Sequence, residues 1–390
     1  MCAMIDPRLQ AALDAASTSL NDHRPDLSAA ATTAVSAQVS LDPAGADVPG
    51  PDAAPDGPYR NVSEWLSVDS TPAAPAADAS PWFTVSHWHW LAAKGHVRQI
   101  PVELGLTFPH LFLSEGQIAN DLTAWEALDG RGEITEEAAA MFAAVSGAAE
   151  LTLYGTVLLY AYRREPVELP AELKEFGLEA AVRNVPRVTF SIGVTEREVV
   201  TVLVNNGTVI FDRRRRRGDA AAEAAQGLRK LLDPADDWKP YPLPTTITLP
   251  GEAVDALATS ENTAGVIDSE PGEDATDDEK TADIERRERV RKGVRRVLVT
   301  AKVPADASAA IADIATATTD ALAQVTVRTN TVDVPRGEPS ALAIAFLRGK
   351  GVVASYPAGT GRFRRVTYVP GTVSGIATGI AALRRVAEGC

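Results

Sequence analysis

Apolar positions are most densely ordered over residues 187–232, RVTFSIGVTEREVVTVLVNNGTVIFDRRRRRGDAAAEAAQGLRKLL. Val200, Val202 and Val204 alternate with Val199, Thr201 and Leu203, which is the period of a β-strand. Asn206-Gly207 supplies the positive-φ pair of a two-residue hairpin turn, and Thr208 to Phe211 runs back as its second arm. Asp219 then caps a helix whose apolar face is Ala221, Ala225, Leu228 and Leu232, ending at Asp233-Pro234. A hairpin cannot bury its own apolar face, so this stretch predicts strands packed against a helix.

The same order returns at the C-terminus. Val325–Val334, Ala341–Leu347, Val352–Tyr356 and Phe363–Val369 read as strands, and Thr372 caps a last helix faced by Ile376, Ile380, Leu383 and Ala387. Two runs of strands, each closed by a helix, predict an α+β fold with a largely antiparallel sheet. Ahead of the first run, Thr84, Ser114 and Thr135 mark three helix starts, with Phe83 and Trp88 placed as a hydrophobic staple, and Leu151–Tyr160 reads as the first strand. Ahead of the second run, a basic helix with the face Val290, Val294, Val297, Leu298 and Ala301 precedes a helix capped by Asp306 that carries Ile311, Ile314 and Leu322. The turn at Pro304 makes these an antiparallel helical hairpin over 284–322.

Composition divides the chain. Residues 1–81 are rich in Ala, Pro, Asp, Ser and Thr and read as a disordered tail beyond a short helix at 7–20; Trp65 and Leu66 stand alone in it as an apolar pair. The domain then covers 82–390: a first half, 82–251, an acidic flexible insert, 259–283, and a second half, 284–390. The 390 residues carry a net charge of −14, a poor match to nucleic acid. The two cysteines, Cys2 and Cys390, form no disulfide framework, and neither a secretory leader nor an apolar run of membrane-spanning length is evident, so a cytoplasmic protein without stable membrane insertion is expected.

Candidate chemistry is sparse. His87 and His89 point about 200° apart on a helix and cannot share an ion there, and His96 and His110 add no zinc spacing. Gly359-Thr360-Gly361-Arg362 has no helix after it to hold a phosphate. No nucleophile motif, P-loop or dinucleotide fingerprint occurs. No catalytic residue, cofactor or metal is therefore expected, and the chain reads as a binder, not an enzyme. The run Arg213–Arg217 reads as a solvated strand end that discourages edge pairing, against a phosphate or acidic-partner site.

Several stretches, in order, resemble the EspG family of chaperones associated with ESX (type VII) secretion: FTVSHWHWLAA from Phe83, GRGEITEEAAAMFAAVSGAAELTLYG from Gly130, REVVTVLVNNGTVIF, TTITLPGEAVDAL, and YPAGTGRFRRVTYVP with the closing helix. Ser355-Tyr356 departs from the family, which often has an acidic residue there. The resemblance implies a quasi-two-fold α+β fold with a central sheet, flanking helices and a helical bundle in the second half. It also implies binding of exported PE–PPE-type helical proteins at an apolar tip, keeping them soluble for secretion. Partner recognition would then fall on the second-half bundle and a sheet-edge loop, matched here by Thr195-Glu196-Arg197. The apolar stripes of the helical hairpin point to the same region, with Leu298 and Ile314, beside Val294 and Ile311, read as either partner-facing anchors or core. The rival reading is a non-enzymatic regulatory or membrane-peripheral scaffold that uses the Arg-rich helix and loop.

Overall fold

The computed structural model describes residues 83–104, 113–162, 185–205, 207–233, 235–259, 271, 275–329, 341–359 and 364–387. All belong to one compact unit, Ser63–Cys390; no residue of the other, Met1–Val62, is described. The expected tail with its short helix, and residues 360–363 at the junction of the last two expected strands, lie outside the described residues.

The described residues form nine strands in one antiparallel sheet and eight α-helices. Helices α1 (Val85–Ala93), α2 (Glu115–Ala124) and α3 (Glu136–Ala143) lead to β1 (Leu151–Leu158), β2 (Arg187–Val194), β3 (Glu198–Asn205), β4 (Thr208–Arg215) and α4 (Ala220–Leu232). Then β5 (Ile247–Pro250), α5 (Gly251–Thr259), α6 (Asp277–Thr300) and α7 (Ala305–Ala315) lead to β6 (Thr319–Thr329), β7 (Leu342–Leu347), β8 (Gly351–Ala358), β9 (Arg365–Pro370) and α8 (Val373–Ala387).

The sheet order is β4-β3-β2-β1-β6-β7-β8-β9-β5, a palindrome of the two halves about the β1–β6 pair. The equivalence extends to the edges. Thr84, the last residue before α1, bridges Thr208 at the start of β4; Pro250, the last before α5, pairs with Arg365 at the start of β9. The expected quasi-two-fold α+β fold is therefore present in the backbone pairing itself. At the β3–β4 turn Gly207 adopts φ 82°, the conformation its hairpin needs. At Gly155, in the central strand, a Cβ would lie 2.3 Å from the Phe190 ring that covers it, so glycine lets that ring close over the sheet.

The period-2 pattern sorts the layers. Val200, Val202 and Val204 pack under α1–α3 with Trp88, Leu122 and Phe142, while Gly227 of α4 sits against Ile192 and Thr201 on the opposite face. Helices α4 and α8 pack against each other. Phe83 meets Phe142, Phe211 and Trp125 with ring centroids 5.7–6.0 Å apart, so the staple expected from the sequence becomes one side of an aromatic cluster.

Several boundaries differ from the sequence reading, and three of the differences change the picture. Helix α6 begins at Asp277, inside the stretch assigned to the acidic insert, because Thr276 and Glu279 cap it reciprocally: the Glu279 N–H donates to Thr276 Oγ1 at 3.3 Å and the Thr276 N–H to Glu279 Oε2 at 2.8 Å. Asp277, Asp278 and Glu279 also lie where the helix dipole favours negative charge. The second correction concerns α7, which is entered through Pro304 with Asp306 in its first turn, not at the cap. The third is Leu322, which belongs to strand β6 and pairs with Leu158.

Candidate functional site: the helical hairpin and the β2–β3 turn

Helices α6 and α7 form the antiparallel pair expected from the sequence, but their apolar stripes face inward. Leu298, Val294 and Ile311 are 0%, 1% and 3% exposed, and pack with Ile247, Leu249 and Ala253. They are core residues, a correction to their reading as partner-facing. The physical reason is a third element, the β5–α5 corner, whose apolar residues Ile247, Leu249 and Ala253 share one buried cluster with the two helices. Ile314 is half-buried between this cluster and a second one around Tyr241, Leu347 and Val353.

What the pair does present is different. Ile284 is 61% exposed and Val299 66% exposed, both on α6. Fifteen positions separate them, which on a 3.6-residue helix is about 22 Å along the axis and about 60° around it. Glu285, Glu288, Lys292 and Arg295 are also exposed on this helix, and Lys292 pairs with Glu288 at 3.1 Å.

The base of the pair is seated by charge. Arg287 donates to Thr316 O at 2.9 Å and Thr318 Oγ1 at 3.0 Å, and pairs with Asp283 at 2.7 Å. Asp313 of α7 accepts from Lys350 Nζ at 2.6 Å and from the Tyr241 hydroxyl at 2.7 Å. Burial pushes the Asp313 carboxyl up, but Lys350 and Tyr241 together hold it below the usual carboxylate range.

The turn Thr195-Glu196-Arg197 connects β2 to β3. Thr195 is half-buried, whereas Glu196 and Arg197 are exposed. Thr195 Oγ1 accepts from the Glu198 N–H at 3.0 Å, closing the turn locally. It lies at the end of the sheet where β1 begins, since Val194 pairs with Leu151. The contacts that seat α6, at Thr316 and Thr318, precede β6 and lie at the opposite end, past Leu158.

The arginine run is not simply solvated, which corrects the sequence reading. Arg213 pairs with Glu198 and Glu137, Arg214 with Glu223, and Arg216 with Glu150 at 2.6 Å. Burial raises the Glu223 carboxyl, yet Arg214 and the Arg217 N–H leave it below its ordinary value. The acidic partners come from α3, β3, α4 and Glu150, the residue just before β1. They are scattered in sequence, which hid the pairing.

Among the described residues, His87 is the one histidine of the expected set that is fully buried. Its Nδ1 accepts from the Thr84 N–H at 3.1 Å, so Nε2 carries the proton and donates to Asp121 Oδ2 at 3.1 Å. Burial lowers its pKa below 6.5, only in part offset by Asp121. A depressed histidine adds stability above the unfolded value of 6.5 that is lost as pH falls toward the folded value. Stability is thus expected to drop on acidification by up to about 1.4 kcal/mol per pH unit. Urea midpoints at several pH values should show this slope in the wild type and lose it in His87→Gln; an unchanged slope would assign the effect to other groups.

Among the described residues no cluster of three or more His, Cys, Asp or Glu side chains is placed to hold a metal ion. No helix among them is long and apolar enough to cross a membrane.

No protein-family model matches the chain, and no curated protein matches it. Among solved structures, the fold is similar to that of the Mycobacterium tuberculosis type VII secretion system chaperone EspG5, solved in complex with the PE25–PPE41 dimer. The TM-score is 0.51 at 13% identity, over 78% of this chain and 95% of that chain. The likeness therefore takes in nearly the whole of the chaperone.

Proposed function

We propose that this chain is a secretion chaperone that binds an exported helical pair of the PE–PPE type and keeps it soluble in the cytoplasm until export. The observation that carries this reading is the fold shared with EspG5 along 95% of that protein. The chemistry is consistent with it. An exported helical protein with an apolar tip self-associates in water, and a partner that covers the tip prevents this by mass action. Release at export calls for a modest interface, with a few anchors on a polar rim.

The proposed contacts are the outer side of α6 and, at the other end of the sheet from the seat of that helix, the β2–β3 turn. Ile284 and Val299 supply exposed apolar anchors, and Glu196 and Arg197 a charged tip, while Ile314 of α7 packs between two core clusters. Leu298, Val294 and Ile311 act behind this surface by holding the two helices together. The scaffold alternative loses part of its support, because Arg213, Arg214 and Arg216 of the loop are engaged with carboxylates of this chain, although Arg289, Arg295 and Arg296 of α6 are exposed.

Co-expression of the full chain with a PE–PPE pair from the same genome, followed by co-purification, tests the reading. A stoichiometric complex is expected. Ile284→Asp and Val299→Asp should each weaken it while leaving the melting temperature nearly unchanged, since both sites are solvated. Full binding by both variants would remove α6 from the interface.

A further inference from the structure

The five consecutive arginines have no role in the reading above, and their geometry gives them one. Strand β4 alternates faces, so Arg213 emerges on one side of the sheet and Arg214 and Arg216 on the other. Arg213 grips Glu198, the residue that closes the β2–β3 turn, and is itself held by Glu137 of α3. Arg216 reaches the turn from the other face. Its guanidinium donates to Thr195 O at 2.9 Å and to Gly218 O at 2.8 Å, and pairs with Glu150 at 2.6 Å. The Arg216 N–H also donates to Arg197 O at 2.8 Å. Glu150 in turn lies 3.6 Å from Arg384 of α8, an element of the second half.

We propose that Arg213 and Arg216 are positioning residues that bracket the Thr195-Glu196-Arg197 turn from both faces of the sheet, fixing the direction in which Glu196 and Arg197 meet the partner. This rests on the reading of the turn as part of the contact surface. These ion pairs are partly exposed, at 38% for Arg213 and 17% for Arg216, and pairs open to solvent add little to stability. Their effect here is to order the turn before binding, so that less conformational freedom is lost when the partner docks. The partner chemistry matched by such a tip is a helix end carrying both an acidic and a basic group, opposite Arg197 and Glu196 respectively. Arg216 suits the task better than lysine would, since one planar fork serves three acceptors at once.

Two measurements on the full chain test this. The first needs no partner: amide hydrogen exchange at Arg197 and Glu198 should quicken at least tenfold in Arg213→Gln/Arg216→Gln and in Arg216→Lys, while the core of β3 keeps its protection. Unchanged exchange at the turn overturns the bracket, as does a loss of protection spread evenly over β2 and β3. The second uses the co-expressed PE–PPE pair as probe. Affinity should fall about tenfold in the double variant, the loss expected when one or two side chains must be ordered on binding. Wild-type affinity with a loosened turn overturns the positioning role. The tip swap Glu196→Arg/Arg197→Glu separates the two claims: if it leaves binding intact, the turn is not a contact and the reading beneath this proposal fails, whatever the exchange data show about the bracket.

Discussion

Leu298→Asp is expected to cost roughly 3–5 kcal/mol or more, enough to unfold much of the second-half helical layer. Leu298 is fully buried among Val294, Ile311, Leu249 and Ala253. The aspartate would enter that cluster with no cation of α7 or β5 among its neighbours, and would also leave part of the leucine's volume empty. Its neighbour provides the control. Val299 is 66% exposed, and Val299→Asp should change stability by no more than about 0.5 kcal/mol. Thermal and urea unfolding followed by far-ultraviolet circular dichroism would read both. A folded Leu298→Asp protein with intact helix content would mean that α6 does not rest on β5 and α5 as described. The pair also guards the binding experiments, because loss of partner in Leu298→Asp reports unfolding, not an interface.

Trp88→Ala is expected to be comparably damaging in the first half, at about 3–5 kcal/mol. The ring is fully buried, meets Phe142 edge-on at 5.0 Å and Phe211 at 5.9 Å, and donates from Nε1 to Arg98 O at 3.0 Å. Its removal opens a cavity beneath α1, α3 and β4 together and leaves the Arg98 carbonyl without that donor. The urea midpoint should fall steeply. Trp88→Phe, which keeps most of the ring and loses the N–H, should recover more than half of the loss; no recovery would place the hydrogen bond, not the packing, first.

Much of the fold was legible because its signals are local. The alternation at Val199–Val204, the Asn-Gly turn and the caps at Thr135, Asp219 and Thr372 each act within a few residues, and all became the elements they imply. The repeated grammar of the two halves pointed to an α+β fold with a largely antiparallel sheet, but not to the order of its strands. The start of α6 is hidden by composition although Thr276-Asp277-Asp278-Glu279 carries a readable capping pattern: overall acidity suggests a linker, whereas acid in a first turn favours a helix. The site was less legible for a different reason. A stripe of Val294, Leu298 and Ile311 states that one face is apolar, not what covers it. Here β5 and α5, distant in kind from a helical bundle, join the cluster that covers it. The arginine run failed in the same way: five like charges look solvated until the carboxylates that meet them are brought in from four other parts of the chain.

The central β1–β6 pair has a consequence in time. It joins parts of the chain far apart in sequence; Thr326 Oγ1, for example, donates to Tyr154 O, 172 positions away. Contacts of that range form late, after the closure entropy of the intervening chain has been met. During synthesis the first half emerges with β1 already able to pair β2, yet its other edge stays bare until β6 leaves the ribosome. Bare edges recruit stray strands. For that interval the nascent chain is itself an aggregation-prone client, and its vulnerability ends only when its second half arrives to close the sheet.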